Sequence, residues 1–122
     1  VQNLYLQIAQ VRAAMYSAGV SSLEIWDTES APIGSGNQIA DLTDARAITL
    51  MYRTNLILAA KGVVRTIFYT YDIAGMGFSN RPAIISARED LIRLLTSGKV
   101  LTVAGFTDGR VGYWSSLGLI LI

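Results

Sequence analysis

The chain has 122 residues, 52% of them apolar and only 16% charged, with a formal net charge of +1; that length suits one domain with a real core. It holds no cysteine and no histidine, which excludes disulfides, thiol catalysis, zinc sites with Cys or His ligands and any imidazole general base. Basic and acidic residues are interspersed, so there is no basic stripe of the kind that marks a nucleic-acid surface. Acid–base chemistry is left to Asp, Glu, Lys or Tyr.

Mean hydropathy is positive, yet no run reaches the ~18 apolar residues that a membrane span needs. The apolar surplus therefore points to burial against a partner surface. The chain opens at Val1 and enters a helical pattern at once, as a segment of a longer or trimmed polypeptide would.

Leu4, Ile8, Val11, Met15 and Ala18 recur at helical spacing, with Gln7, Gln10 and Arg12 off the stripe. This predicts an amphipathic helix closed by Gly19, a usual C-cap residue. Leu23 to Glu29, LEIWDTE, predicts a short buried strand ending on a carboxylate. The polar stretch SAPIGSGNQ, Ser30 to Gln38, reads as a loop.

Asp41 or Thr43 can cap a second helix running to Lys61, with Gly62 as its stop. Ala45, Ile48, Leu50, Met51, Tyr52, Leu56, Ile57, Leu58 and Ala59 make it apolar nearly all round, so more than one face should be buried. Val63 to Tyr71 is rich in β-branched and aromatic residues and predicts a second strand. A Gly-rich loop, Asp72 to Asn80, then leads into a third helix opened by Asn80 and Pro82. This helix buries Ile84, Ile85, Leu91, Leu94 and Leu95 and ends at Gly98. Val100 to Phe106, the turn Asp108-Gly109 and Val111 to Trp114 have a hairpin signature, and Leu119 to Ile122 suits a further strand.

Helices alternating with short strands imply parallel strands and crossover connections. Two such strands are too few for a covered parallel sheet, so more should come from elsewhere.

In α/β architectures reacting groups stand just past the strand C-termini. Glu29 is therefore the best candidate for chemistry, with a solvated loop carboxylate as the alternative. Asp27 reads as a hydrogen-bonding group at the strand end, Glu24 as a solvated entry residue, and Trp26 as packed against flanking helices. Tyr69 and Tyr71 suit either strand packing or sugar contact. The glycines at 34, 36, 75 and 77 lack a P-loop lysine or a dinucleotide fingerprint, so they read as loop residues. Glu89 and Asp90, flanked by Arg88 and Arg93, read as a wet helix face.

The segment YLQIAQVRAAMYSAGVSSLEIWDTES, Tyr5 to Ser30, resembles the late part of a clan A glycoside hydrolase. These are retaining glycosidases on a (β/α)₈ barrel, whose seventh strand commonly ends in a phrase such as IWNTE or WDTE. The stretch RTNLILAAKGVVRTIFYTYD, Arg53 to Asp72, resembles helix seven feeding an aromatic-rich strand eight.

The resemblance covers roughly residues 4 to 97. It implies an α/β fold, the C-terminal portion of a (β/α)₈ barrel at residues 1–98, followed by a small antiparallel β appendage at 99–122. It implies Glu29 as catalytic nucleophile. It also implies Asp27, Tyr69, Tyr71 and Asp72 as substrate-binding groups, the tyrosines standing where many relatives carry a tryptophan-rich phrase. No metal and no cofactor is implied. The family's acid/base glutamate sits on strand four, so it would come from outside these residues. The partners implied are a carbohydrate substrate and the remainder of the barrel, or another chain, covering the apolar surface. An extracellular or periplasmic location goes with the resemblance. The alternative is a non-catalytic, barrel-derived module for carbohydrate binding or assembly, for example in an extracellular or virion protein. A doubly wound domain of flavodoxin type is a third possibility, with no cofactor fingerprint to support it.

Overall fold

A computed structural model describes residues 2–30, 42–68, 77–97, 100–105, 111–115 and 118–121. Three helices and two parallel strands alternate along the chain: α1 (Gln2–Ser17), β1 (Ile25–Ser30), α2 (Asp44–Ala60), β2 (Val63–Phe68) and α3 (Pro82–Ser97). Three short strands follow, β3 (Val100–Gly105), β4 (Val111–Ser115) and β5 (Gly118–Leu121).

Local chemistry sets the ends of these elements. Thr43, in an extended conformation, caps α2 by accepting a hydrogen bond from the Arg46 amide at Oγ1. At the other end of α2 the chain turns at Gly62, where φ is +74°. Gly19 closes the α1 end in the same left-handed region at +72°, which glycine enters without steric cost. Pro82 occupies the first turn of α3, where its missing N–H is not needed.

α2 is the centre of the molecule. It packs against α1, α3 and β2, and β3 and β4 also lie against it. Its apolar circumference is accounted for by this position: Ala47, Met51, Leu56, Ile57 and Leu58 are all buried. The main core joins Met51, Leu56, Ile57 and Leu58 to Ile8 of α1, Val63 of β2 and Leu91 of α3. A smaller cluster gathers Ala47, Phe78 and Ile84 at the other end of α2. Phe68 packs against both clusters and meets Phe78 edge-to-face, with 4.7 Å between ring centroids and 84° between planes.

β1 and β2 pair in parallel, Ile25 with Val63, Trp26 with Arg65, Asp27 with Thr66 and Ser30 with Phe68. The register shifts after Ile25 and again after Asp27. β3, β4 and β5 form a separate antiparallel sheet in that order.

This architecture corrects the expected fold. The described residues do not form a portion of an eight-stranded barrel. They form three helices and a two-stranded parallel sheet in which each strand pairs with the other alone. Nor do the last strands stand apart as an appendage, because β3 and β4 rest on α2. The physical reason is that alternating helix and strand patterns report the order of elements, whereas closure depends on strand number, tilt and stagger. Two strands cannot curl into a closed sheet. Trp26, Val64 and Ile67 are each about half exposed.

Candidate functional site

Parallel pairing aligns the C-terminal ends of β1 and β2, because the last residues of the two strands, Ser30 and Phe68, are register partners. Glu29 stands one residue before this edge and is exposed. An exposed carboxylate keeps its hydration without a partner. The sequence thus places Glu29 where a strand end can display it, and the structure leaves it accessible there.

Beside it runs a cleft of about 430 Å³ between α1 and β1, lined also by α2 and β2. Gln7, Asp27, Glu29 and Thr54 supply polar groups, while Leu4, Ile8, Val11, Ile25 and Leu58 supply apolar walls. Asp27 and Glu29, both singled out from the sequence, therefore share one cavity. Its size falls in the range of small-molecule sites, and a few polar groups on an apolar lining is the usual composition of such sites.

Asp27 differs from the expected strand-end hydrogen bonder. Its Oδ2 is buried and accepts no hydrogen bond from the described residues. A buried carboxylate oxygen without a donor is costly, by about 1–3 kcal/mol or more for a charged group. Such an atom is a natural acceptor for a hydroxyl or amide brought in by a ligand.

Trp26 also departs from expectation. It is not packed between helices: 49% of its surface is exposed and it lines the cleft. Its indole Nε1 donates to Glu24 Oε2 at 2.8 Å, and the Arg65 guanidinium lies 4.6 Å from the ring centroid. The hydrogen bond and the cation–π contact together hold the ring in one orientation on the surface. Glu24, read as a mere entry residue, is what orients it. The β1–β2 register shifts between Ile25 and Trp26, so simple alternation along β1 does not fix where Trp26 points. Which face carries helices is decided only by packing.

Tyr69, Tyr71 and Asp72, the other expected sugar contacts, lie outside the described residues. Among the described residues, no group of three or more His, Cys, Asp or Glu side chains is placed to hold a metal ion. No helix among them is long and apolar enough to cross a membrane. Glu89 and Asp90 are exposed on α3, and Asp90 accepts from Arg93 Nη2 at 2.6 Å. This is the solvated helix face that the charge pattern suggested.

Comparison with family models, with curated proteins and with solved structures finds no match to this chain.

Proposed function

We propose that the chain supplies the nucleophile side of a retaining glycoside hydrolase site acting on an oligosaccharide or polysaccharide. The observation that carries this reading is the cleft in which exposed Glu29 stands with Asp27 and Trp26 at the end of a parallel strand. In such a reaction the Glu29 carboxylate attacks the anomeric carbon. The bond from that carbon to the leaving oxygen breaks as a carboxylic acid protonates the oxygen, leaving a glycosyl ester on Glu29. Water then hydrolyses the ester with the second carboxyl group as base.

Retaining chemistry places the two carboxyl groups about 5–5.5 Å apart. Asp27, with one oxygen buried, is suited to accepting a sugar hydroxyl, so the acid/base group is assigned to polypeptide outside this segment. Trp26 offers a flat apolar surface at the rim.

The test is release of an aryl alcohol from aryl glycosides by the polypeptide that carries this segment, with and without Glu29→Gln. Trapping with a 2-deoxy-2-fluoro glycoside should add one sugar to the peptide containing Glu29. Turnover that survives Glu29→Gln unchanged, or a label on another residue, rejects the assignment.

A second reading rests on the exposed apolar side chains Leu23, Trp26, Val64 and Ile67. There the chain is a carbohydrate-binding or assembly module without catalysis. Glycan binding that persists in Glu29→Gln, with no hydrolysis by the parent polypeptide, selects this reading over the first.

A further inference from the structure

The cleft that holds Glu29 is one-sided in charge. Asp27 and Glu29 bring two carboxylates to its lining, and no lysine or arginine is among the described residues that border it. Neither carboxylate takes part in the two ion pairs of the described residues, which join Arg81 to Asp44 and Arg93 to Asp90. Cations on the neighbouring elements face other groups. Arg12 of α1 donates to the Lys61 carbonyl oxygen, and the Lys61 ammonium lies 4.8 Å from the centre of the Tyr5 ring. Arg53 precedes Thr54 on α2 but does not border the cleft. Arg65 lies over the Trp26 ring at 4.6 Å without being part of the lining.

A second observation bears on the same cleft. Asp27 Oδ2 is buried and accepts no hydrogen bond from the described residues, whereas a charge withheld from water is ordinarily paired. The negative charge is shared by both carboxylate oxygens, so a cation that meets Asp27 in the cleft compensates the buried atom as well. The like charge of Glu29 adds to the demand, and the apolar walls of Leu4, Ile8, Val11 and Leu58 strengthen it by keeping the local dielectric low. The whole chain carries +1, so this negative field belongs to the cleft and not to the molecule at large. The Trp26 ring already holds one guanidinium, and a second cation there would meet the first. A ligand cation is therefore assigned to the carboxylates.

We infer that the sugar taken by this cleft carries a free, protonated amino group, as a glucosamine residue does. The inference rests on the glycosidase reading of the same cleft and names its substrate class. An ammonium brings charge and several donors to the two carboxylates. A hydroxyl brings one donor without charge, and an N-acetyl group one N–H and no charge. A uronic acid would add a third like charge to the two already there.

Titration calorimetry on the polypeptide that carries this segment tests it, with three sulfur-linked disaccharides that resist hydrolysis as probes. They are the identically linked dimers of glucosamine, of N-acetylglucosamine and of glucose, which differ only in one ring substituent. At low salt and about pH 6, where carboxylates are ionised and the amine is protonated, the glucosamine dimer should bind at least about tenfold tighter than either of the others. That advantage should shrink several-fold in about 0.5 M salt, and Asp27→Asn should remove most of it. Glu29→Gln should reduce it as well. Equal affinity for the three dimers, no binding of the glucosamine dimer, or an advantage that both variants leave intact overturns the inference. Catalysis is read separately, from fluoro-sugar labelling of Glu29. Labelled Glu29 without preference for the amine rejects the substrate class alone, whereas preference for the amine without labelling upholds the cleft's selectivity and rejects catalysis alone.

Discussion

Arg12 of α1 donates to the carbonyl oxygen of Lys61 from both Nε, at 3.2 Å, and Nη2, at 2.5 Å. One side chain thereby satisfies a carbonyl at the C-terminus of α2, where helices leave their acceptors unpaired, and ties the first helix to the central one. The same guanidinium borders Gly62, where an added Cβ would lie 2.7 Å from Arg12 Nη2.

Gly62→Ala is consequently disfavoured twice, by a left-handed φ of +74° that costs an alanine about 1–2 kcal/mol and by collision with Arg12. Arg12→Ala removes an exposed but charged hydrogen bond worth about 1 kcal/mol. Denaturant melts of the two variants and of their combination should show that Gly62→Ala costs less in the Arg12→Ala background. Strict additivity would mean that the arginine swings aside freely.

Arg81 joins the start of α3 to the start of α2. Its Nε donates to Asp44 Oδ1 at 2.7 Å and its Nη2 to the Leu42 carbonyl at 2.7 Å, with only 16% of the side chain exposed. Arg81→Met should lower unfolding free energy by about 2 kcal/mol, and Asp44→Asn by about 1 kcal/mol. Calorimetry should place Arg81→Met below Asp44→Asn in Tm. The reverse order would show that the Leu42 carbonyl contributes nothing.

Asp27 is expected to trade stability for binding. Its buried Oδ2 has no donor among the described residues, so replacing the carboxylate with an uncharged group should relieve a desolvation cost. Asp27→Asn should raise unfolding free energy by about 1 kcal/mol and, on the proposed function, weaken glycan affinity. Loss of stability in that variant would reveal a donor that the carboxylate does satisfy.

Burial holds the Tyr5 hydroxyl above its ordinary range, and burial followed by the negative charge of Asp90 does the same for Tyr52. A group whose folded pKa exceeds its unfolded value binds more protons when folded. Its contribution is present below the unfolded value of about 10 and is lost as pH rises beyond it. Thermal melts should therefore show Tm falling above about pH 10, with a shallower fall in a Tyr5→Phe, Tyr52→Phe double variant. Parallel alkaline limbs for the two proteins would assign the decline to other groups.

Much of the chain's local structure was legible before its fold was. The strand expected at Leu23 to Glu29 appears at Ile25–Ser30, and that expected at Val63 to Tyr71 begins at Val63. The stop expected at Gly62 is a residue at positive φ. Of the two possible caps of α2, Thr43 is the one used. The position of Glu29 at the end of β1 was equally readable, because a strand end is a local feature. Its neighbours were harder to read: Trp26 proved exposed and Asp27 proved buried at one oxygen.

The sequence by itself determined where helices and strands begin, because hydrophobic period, capping residues and glycine stops act over one or two turns of chain. Only the tertiary structure decided how many strands share a sheet, that β3 and β4 rest on α2, and that Trp26 stays half exposed. Those properties depend on contacts between residues far apart in the chain, and no pattern of neighbouring residues encodes them. The shared cleft of Asp27 and Glu29 is a consequence of that non-local pairing.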